Sequence, residues 1–234
     1  MVGMSETVED ILGPNRALGE FLPKALPRDA RPLGTGSFSA VFISPANARR
    51  VVKVTCDEGS YRYLTAGLGS RHAPRVYRAA LLGQNKQNLP VFAVEMERLN
   101  PCQSFDKPLR NIKRVFRTAY SLLSDDGAYD CHHSFEGWGC RLRTVASDRR
   151  LPWSIADYFM RLASFFETCE EEAESPDELL AFDGLTRENA GVRDDGTLVF
   201  FDPVCGQAAL KYVNNYSVEN YDDDKWSVHA LLMY

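Results

Sequence analysis

The sequence predicts an α+β chain in two lobes, a small antiparallel sheet followed by a mainly helical second part. Three observations predict it. A glycine hairpin occupies Leu33-Gly-Thr-Gly-Ser-Phe-Ser-Ala-Val-Phe42, and an apolar strand broken by one lysine comes next at Arg50-Val-Val-Lys-Val54. Far downstream, Asn189 and Asp202 stand thirteen positions apart, with the apolar run Leu198-Val-Phe-Phe leading into the second. Residues 1–30 read as a leader, 31–99 as the sheet lobe, and 100–234 as the helical lobe with an insertion at about 100–150.

Each element has a local reason. In the leader a short helix is expected around Val8–Leu12, and Pro14, Pro23 and Pro27 keep the rest of it from continuing as a helix. Gly34 and Gly36 permit backbone angles, and a closeness to phosphate, that a Cβ would forbid, although an ordinary hairpin turn has the same pattern. Lys53, alone in an apolar strand, points a single cation inward; a solvated strand lysine is the other reading. Glu58 to Leu68 reads as a helix, and its carboxylates, Asp57 and Glu58, lie at its beginning. Pro90 to Leu99 starts apolar and turns polar, as a core strand leading out of the sheet would.

Lys107 to Ser124 is an amphipathic helix in which Leu109, Ile112, Phe116, Ala119, Tyr120 and Leu123 recur at helical spacing. Arg110, Lys113, Arg114 and Arg117 form a basic flank, read either as a solvated face or as a contact for an acidic partner. Cys131-His-His133 with Cys140 lacks the Cys-x-x-Cys knuckle of a zinc site, and Gly137-Trp-Gly139 reads as a loop. From Pro152 a long helix turns Ile155, Tyr158, Phe159, Leu162, Phe165 and Phe166 to a core, runs into Glu170-Glu-Glu172 and Glu174, and stops by Pro176.

Composition narrows the class. At 234 residues and 44% hydrophobic the chain can bury a substantial core. A net charge of −5 argues against a general nucleic-acid binder. No long apolar run and no signal-peptide pattern is present, so a cytoplasmic protein without membrane contact is expected. The six cysteines are scattered, so reduced thiols are the default.

The order of glycine loop, strand lysine, Pro74-Arg-Val-Tyr77, Phe182-Asp183 and Phe201-Asp-Pro-Val204 resembles the protein-kinase-like fold. In particular it resembles the early serine/threonine kinases of T-seven-like bacteriophages. The resemblance covers roughly residues 30–100 and 155–206. It implies ATP and Mg2+ as cofactors and a Ser or Thr hydroxyl on a host protein as acceptor, the transcription or RNA-processing machinery among the targets, redirecting host gene expression in the host cytoplasm early in infection. It also implies site roles. Gly34, Thr35, Gly36, Ser37 and Phe38 would cover the phosphates, with Ser39 where a third glycine usually sits. Val41 would lie on the adenine, Lys53 would hold the α/β-phosphates, Met96 would be the gatekeeper, and Glu97 and Leu99 would face the adenine edge. Asn189 and Asp202 would bind the metal, and Asp183 would be the catalytic carboxylate. Glu58 is the candidate partner of Lys53 from the first turn of its helix.

The family pattern is broken at the catalytic loop. A kinase loop places its base Asp five residues before the Asn, which here is Gly184, with Asp183 one residue earlier. Either the loop carries one extra residue and Asp183 reaches the substrate hydroxyl, or the chain is a pseudokinase that acts by binding. A small-molecule phosphotransferase of the aminoglycoside-kinase type is a third reading, against which Ala181 occupies the position of its usual histidine. Only 32 residues come after Asp202, too few for the usual peptide platform. Residues 100–150 are therefore expected to replace it and to choose the target through Arg110, Lys113, Arg114 and Arg117.

Overall fold

The computed structural model describes residues 32–36, 38–84, 88–102, 106–125, 137–207 and 209. The leader expectation for 1–30, Ser37 and the Cys131-His-His133 segment lie outside them, as does the tail beyond 209. The described residues divide into two compact units: 32–65 with 75–98, and 66–74 with 99–209.

The first unit is a five-stranded antiparallel sheet in the order β1-β2-β3-β5-β4. Its strands are β1 (Gly34–Gly36), β2 (Ser39–Ile43), β3 (Arg50–Thr55), β4 (Val76–Gln84) and β5 (Pro90–Glu97). β1 and β2 form the glycine hairpin, with Gly36 opposite Ser39. Side chains alternate across a pleated sheet. One face therefore gathers Ala40, Phe42, Val52, Val54, Val91 and Ala93, joined by Leu82, into an apolar cluster. The other face carries Lys53, whose register partners are Val41 on β2 and Val94 on β5.

Helix α1 (Glu58–Thr65) lies on the lysine face, where Tyr61 stacks on Phe92 at 4.1 Å between ring centroids. Asp57 starts it: its Oδ1 accepts the Gly59 N–H at 2.9 Å, meeting one of the donors every helix leaves open at its N-terminus. The helix stops at Thr65, short of the expected Leu68, ahead of Gly67 at φ +58°.

Among its described residues the second unit packs three helices and short strands. The helices are α2 (Lys107–Asp125), α3 (Trp138–Ala146) and α4 (Trp153–Glu172). β6 (Asn100–Pro101), β8 (Ala190–Val192) and β9 (Leu198–Phe200) form one small sheet; β7 (Leu180–Phe182) and β10 (Val204–Gly206) form another, antiparallel pair. α2 buries Leu109, Ile112, Val115, Phe116 and Ala119; α4 buries Ile155, Tyr158, Phe159, Leu162, Ala163 and Phe166. Tyr158 stacks on Phe200 at 5.0 Å, which seats α4 on β9.

The structure corrects several expectations. Gly137-Trp-Gly139 opens helix α3 instead of forming a loop. The segment packs against α4, where an added Cβ at Gly139 would sit 2.4 Å from Glu167 Cγ and force that side chain to move. Arg143 on α3 holds the same Glu167 through Nε at 2.6 Å. Lys113 is buried, 4% exposed, and so leaves the solvated flank to Arg110, Arg114 and Arg117. Phe165 is only half-buried, and α4 ends at Glu172, before Pro176, which starts a single 3-10 turn (Pro176–Glu178). The described residues include no helix long and apolar enough to cross a membrane. The five described cysteines form no disulfide.

Candidate functional site

Two groups of predicted site residues take shape, one in each unit. In the first, Lys53 is 2% exposed and its Nζ donates to Ser60 Oγ on α1 at 2.8 Å. Placing an ammonium in a sheet costs several kcal/mol unless polar partners replace water, roughly as for any buried ion. Ser60 is one such partner, so α1 meets the lysine with a hydroxyl. Glu58, the expected carboxylate, is exposed on the first turn, whereas Lys53 is buried. The correction comes from helix geometry. Glu58 and Ser60 are two positions apart and so about 200° around the helix, and the stacked Tyr61 fixes which side faces the sheet.

Around the lysine, Val41 is half-buried beside it in register, and Met96 is buried on the same face. An added Cβ at Gly34 would meet nothing within 4 Å, so internal packing does not explain that glycine. Phe38 is half-buried, and its carbonyl accepts the Cys56 N–H at 2.9 Å, pinning the hairpin tip to the end of β3. Glu97 has its N–H on the Arg75 carbonyl (2.9 Å) while its Oε1 accepts the Arg75 N–H (2.8 Å). That amide is committed to closing the sheet, so it is not open to a base edge.

The second group is tighter. Phe182, the last residue of β7, is buried between Phe116 of α2 (5.1 Å) and Trp138 of α3 (5.5 Å). This fixes where Asp183 leaves the strand. The Asp183 N–H donates to the Pro203 carbonyl at 2.9 Å, closing the β7–β10 pair just where Asp202 precedes it. Gly184 comes next at φ +87°, turning the chain in a way an L side chain resists. The loop then returns to Asn189, whose Nδ2 donates to Asp183 Oδ2 at 3.1 Å. The Asn189 carbonyl in turn faces the N–H groups of Phe201 (3.0 Å) and Asp202 (3.4 Å). Asp183, Asn189 and Asp202 are thus brought together by two short strand pairs, and all three are half-buried.

Asn189 Nδ2 is committed to Asp183, which leaves Oδ1 as the amide atom of a type Mg2+ takes; among the described residues no group of three or more His, Cys, Asp or Glu is placed to hold a metal. Leu99 lies against β8 of this unit: an added Cβ at Gly191 would fall 2.7 Å from Leu99 Cβ.

His72 carries no expectation from the sequence. It is buried, with Nδ1 at 2.7 Å from the Leu198 carbonyl and Nε2 at 3.0 Å from Ser154 Oγ. Burial, with smaller effects of Arg71 and Arg193, holds its imidazole below the ordinary value. Its backbone carbonyl accepts the Phe200 N–H at 2.9 Å, so it anchors the strand that leads to Asp202. A lone histidine in a turn carries no spacing signal that could reveal this.

No protein-family model matches the chain, and no curated protein matches it. Among solved structures it is similar to a thermostable mutant of the aminoglycoside phosphotransferase APH(4)-Ia in its apo form. Identity is 11% and the TM-score 0.37, over 93% of this chain and 88% of that one. So slight a likeness defines no class.

Proposed function

We propose that this chain is an ATP-dependent phosphotransferase of the protein-kinase type, acting with magnesium on a serine or threonine hydroxyl of a host protein. The observation that carries the reading is the Asn189 amide on the Asp183 carboxylate at 3.1 Å, in a loop tied by its backbone to Asp202. Phosphoryl transfer asks for little covalent chemistry and much positioning, which is what such a constellation supplies.

In this reading Asp183 is the catalytic carboxylate that orients the acceptor hydroxyl and takes its proton. Asn189 and Asp202 hold magnesium, which when bound would neutralise charge developing on the transferred phosphoryl group. Lys53 holds the α/β-phosphates, Gly34, Thr35, Gly36, Ser37 and Phe38 cover them, and Val41 lies on the adenine. The open space at Gly34 favours that role for the hairpin, since close approach of a ligand explains a glycine that packing does not. Leu99, with the carbonyl side of Glu97, is assigned to the adenine edge. The acceptor class rests on the phage-kinase resemblance. Arg110, Arg114 and Arg117, exposed along α2, suit an acidic segment of the target.

The test is transfer of labelled γ-phosphate into a host lysate by wild type and by Asp183→Asn. Label with the first and none with the second is the expected result. Equal label in both removes Asp183 from the mechanism, and no label in either leaves a protein that acts by binding.

A further inference from the structure

Of the four basic side chains Arg110, Lys113, Arg114 and Arg117 on α2, one is turned inward. The three arginines are exposed, whereas Lys113 is 4% exposed. Helical spacing explains the position. Leu109 is four residues before it, Ile112 one before and Phe116 three after, and all three belong to the buried stripe of α2. A methionine or leucine would fill that place without the cost of removing an ammonium from water.

The neighbours of the stripe give the lysine a purpose. Phe116 stacks on Phe182 at 5.1 Å, and Phe182 is the residue before Asp183. The stripe therefore abuts the origin of the loop that runs from Asp183 to Asn189. Burial holds the Lys113 ammonium below its ordinary range, and Arg117 adds to that; Glu188, in the loop, acts the other way. The loop carries the carboxylates of Asp183 and Glu188, and a cation on the stripe beside its origin offsets part of their negative charge.

We propose that Lys113 is a positioning residue, a buried cation on α2 that holds the Asp183–Asn189 loop in the geometry seen here. Its kinetic consequence rests on the phosphotransferase reading, and its effect on the loop does not. The charge acts on the loop without touching substrate, and so differs from the target-selecting role expected of the exposed arginines.

The experiment compares Lys113→Met and Lys113→Arg with wild type by amide hydrogen exchange and steady-state kinetics. Methionine keeps the length and loses the charge; arginine keeps the charge. Expected for Lys113→Met is faster exchange confined to the amides of 183–190, including those of Asp183 and Asn189. With it, kcat should fall by about 10- to 100-fold while KM for ATP stays within about twofold, since small misplacements of reacting groups cost that much. Lys113→Arg should recover loop protection and part of kcat. Unchanged loop exchange in Lys113→Met overturns the proposal. So does faster exchange spread evenly over α2, α3 and α4, which marks a core defect only, and so does failure of arginine to recover loop protection. If wild type transfers no phosphate, the functional reading fails, and loop exchange alone still decides on Lys113.

Discussion

Replacing Gly184 by alanine isolates one backbone angle. The residue sits at φ +87°, and an added Cβ would meet nothing within 4 Å, so no clash complicates the outcome. Left-handed backbone costs an L residue roughly 1–2 kcal/mol. Removing a glycine returns about 0.4–1 kcal/mol by narrowing the unfolded ensemble. The net destabilisation expected is about 1 kcal/mol, read as a lower urea midpoint at unchanged m-value. Activity should fall further than stability. Relaxation of residue 184 toward negative φ swings Asp183 away from the Asn189 amide, now 3.1 Å from its carboxylate, and transfer should drop by roughly 10- to 100-fold. Gly184→Asn should retain most of both, because asparagine tolerates this backbone region. An alanine variant as stable and as active as wild type refutes the reasoning. An active Asp183→Gly/Gly184→Asp swap would move the base to position 184 and refute it differently.

Two further outcomes test the frame around the loop. His72 is held below its ordinary value of 6.5, so the unfolded chain binds the proton more readily than the folded one. Its contribution is fully present above pH 6.5 and is lost as pH falls from there through the lowered folded value. Urea midpoints between about pH 7.5 and 5 should show that loss, at most about 1.4 kcal/mol per pH unit for one proton, and His72→Gln should remove this part of the slope. Gly191→Ala places a Cβ 2.7 Å from Leu99 Cβ and 3.1 Å from the Asn100 carbonyl. It should cost roughly 1–3 kcal/mol and expose the β6–β8 amides to exchange; a neutral result would mean that Leu99 is not fixed by β8.

The elements legible in the sequence are those that announce themselves locally. The glycine hairpin and the Lys53 strand show because two glycines and one cation interrupt apolar alternation, and both appear as a sheet edge and a buried lysine. Helices α2 and α4 show through their period. Less legible are residues decided by neighbours distant in sequence. Gly137-Trp-Gly139 has poor helix propensity, yet α3 opens there, with Gly139 packed against Glu167 of α4. Lys113 groups with its arginines by chemistry, although its spacing from Leu109 and Phe116 already places it on the buried stripe. Ser60 carries no charge to mark it as a partner of Lys53, and His72 meets Leu198 and Ser154 only after folding. The sequence names Asp183, Asn189 and Asp202 as candidates, whereas the turn at Gly184 that brings the first to the second shows only in the fold.

The central claim is tested most directly by binding of manganese and a non-hydrolysable ATP analogue, monitored by the paramagnetic signal of bound manganese. Wild type is compared with Lys53→Met and Asp202→Ala. Wild type should bind the pair, and Asp202→Ala should lose bound manganese. Lys53→Met should weaken the nucleotide by roughly 10- to 100-fold, the worth of one charge-assisted hydrogen bond. Equal affinity in all three proteins, or no binding by wild type, would contradict the claim.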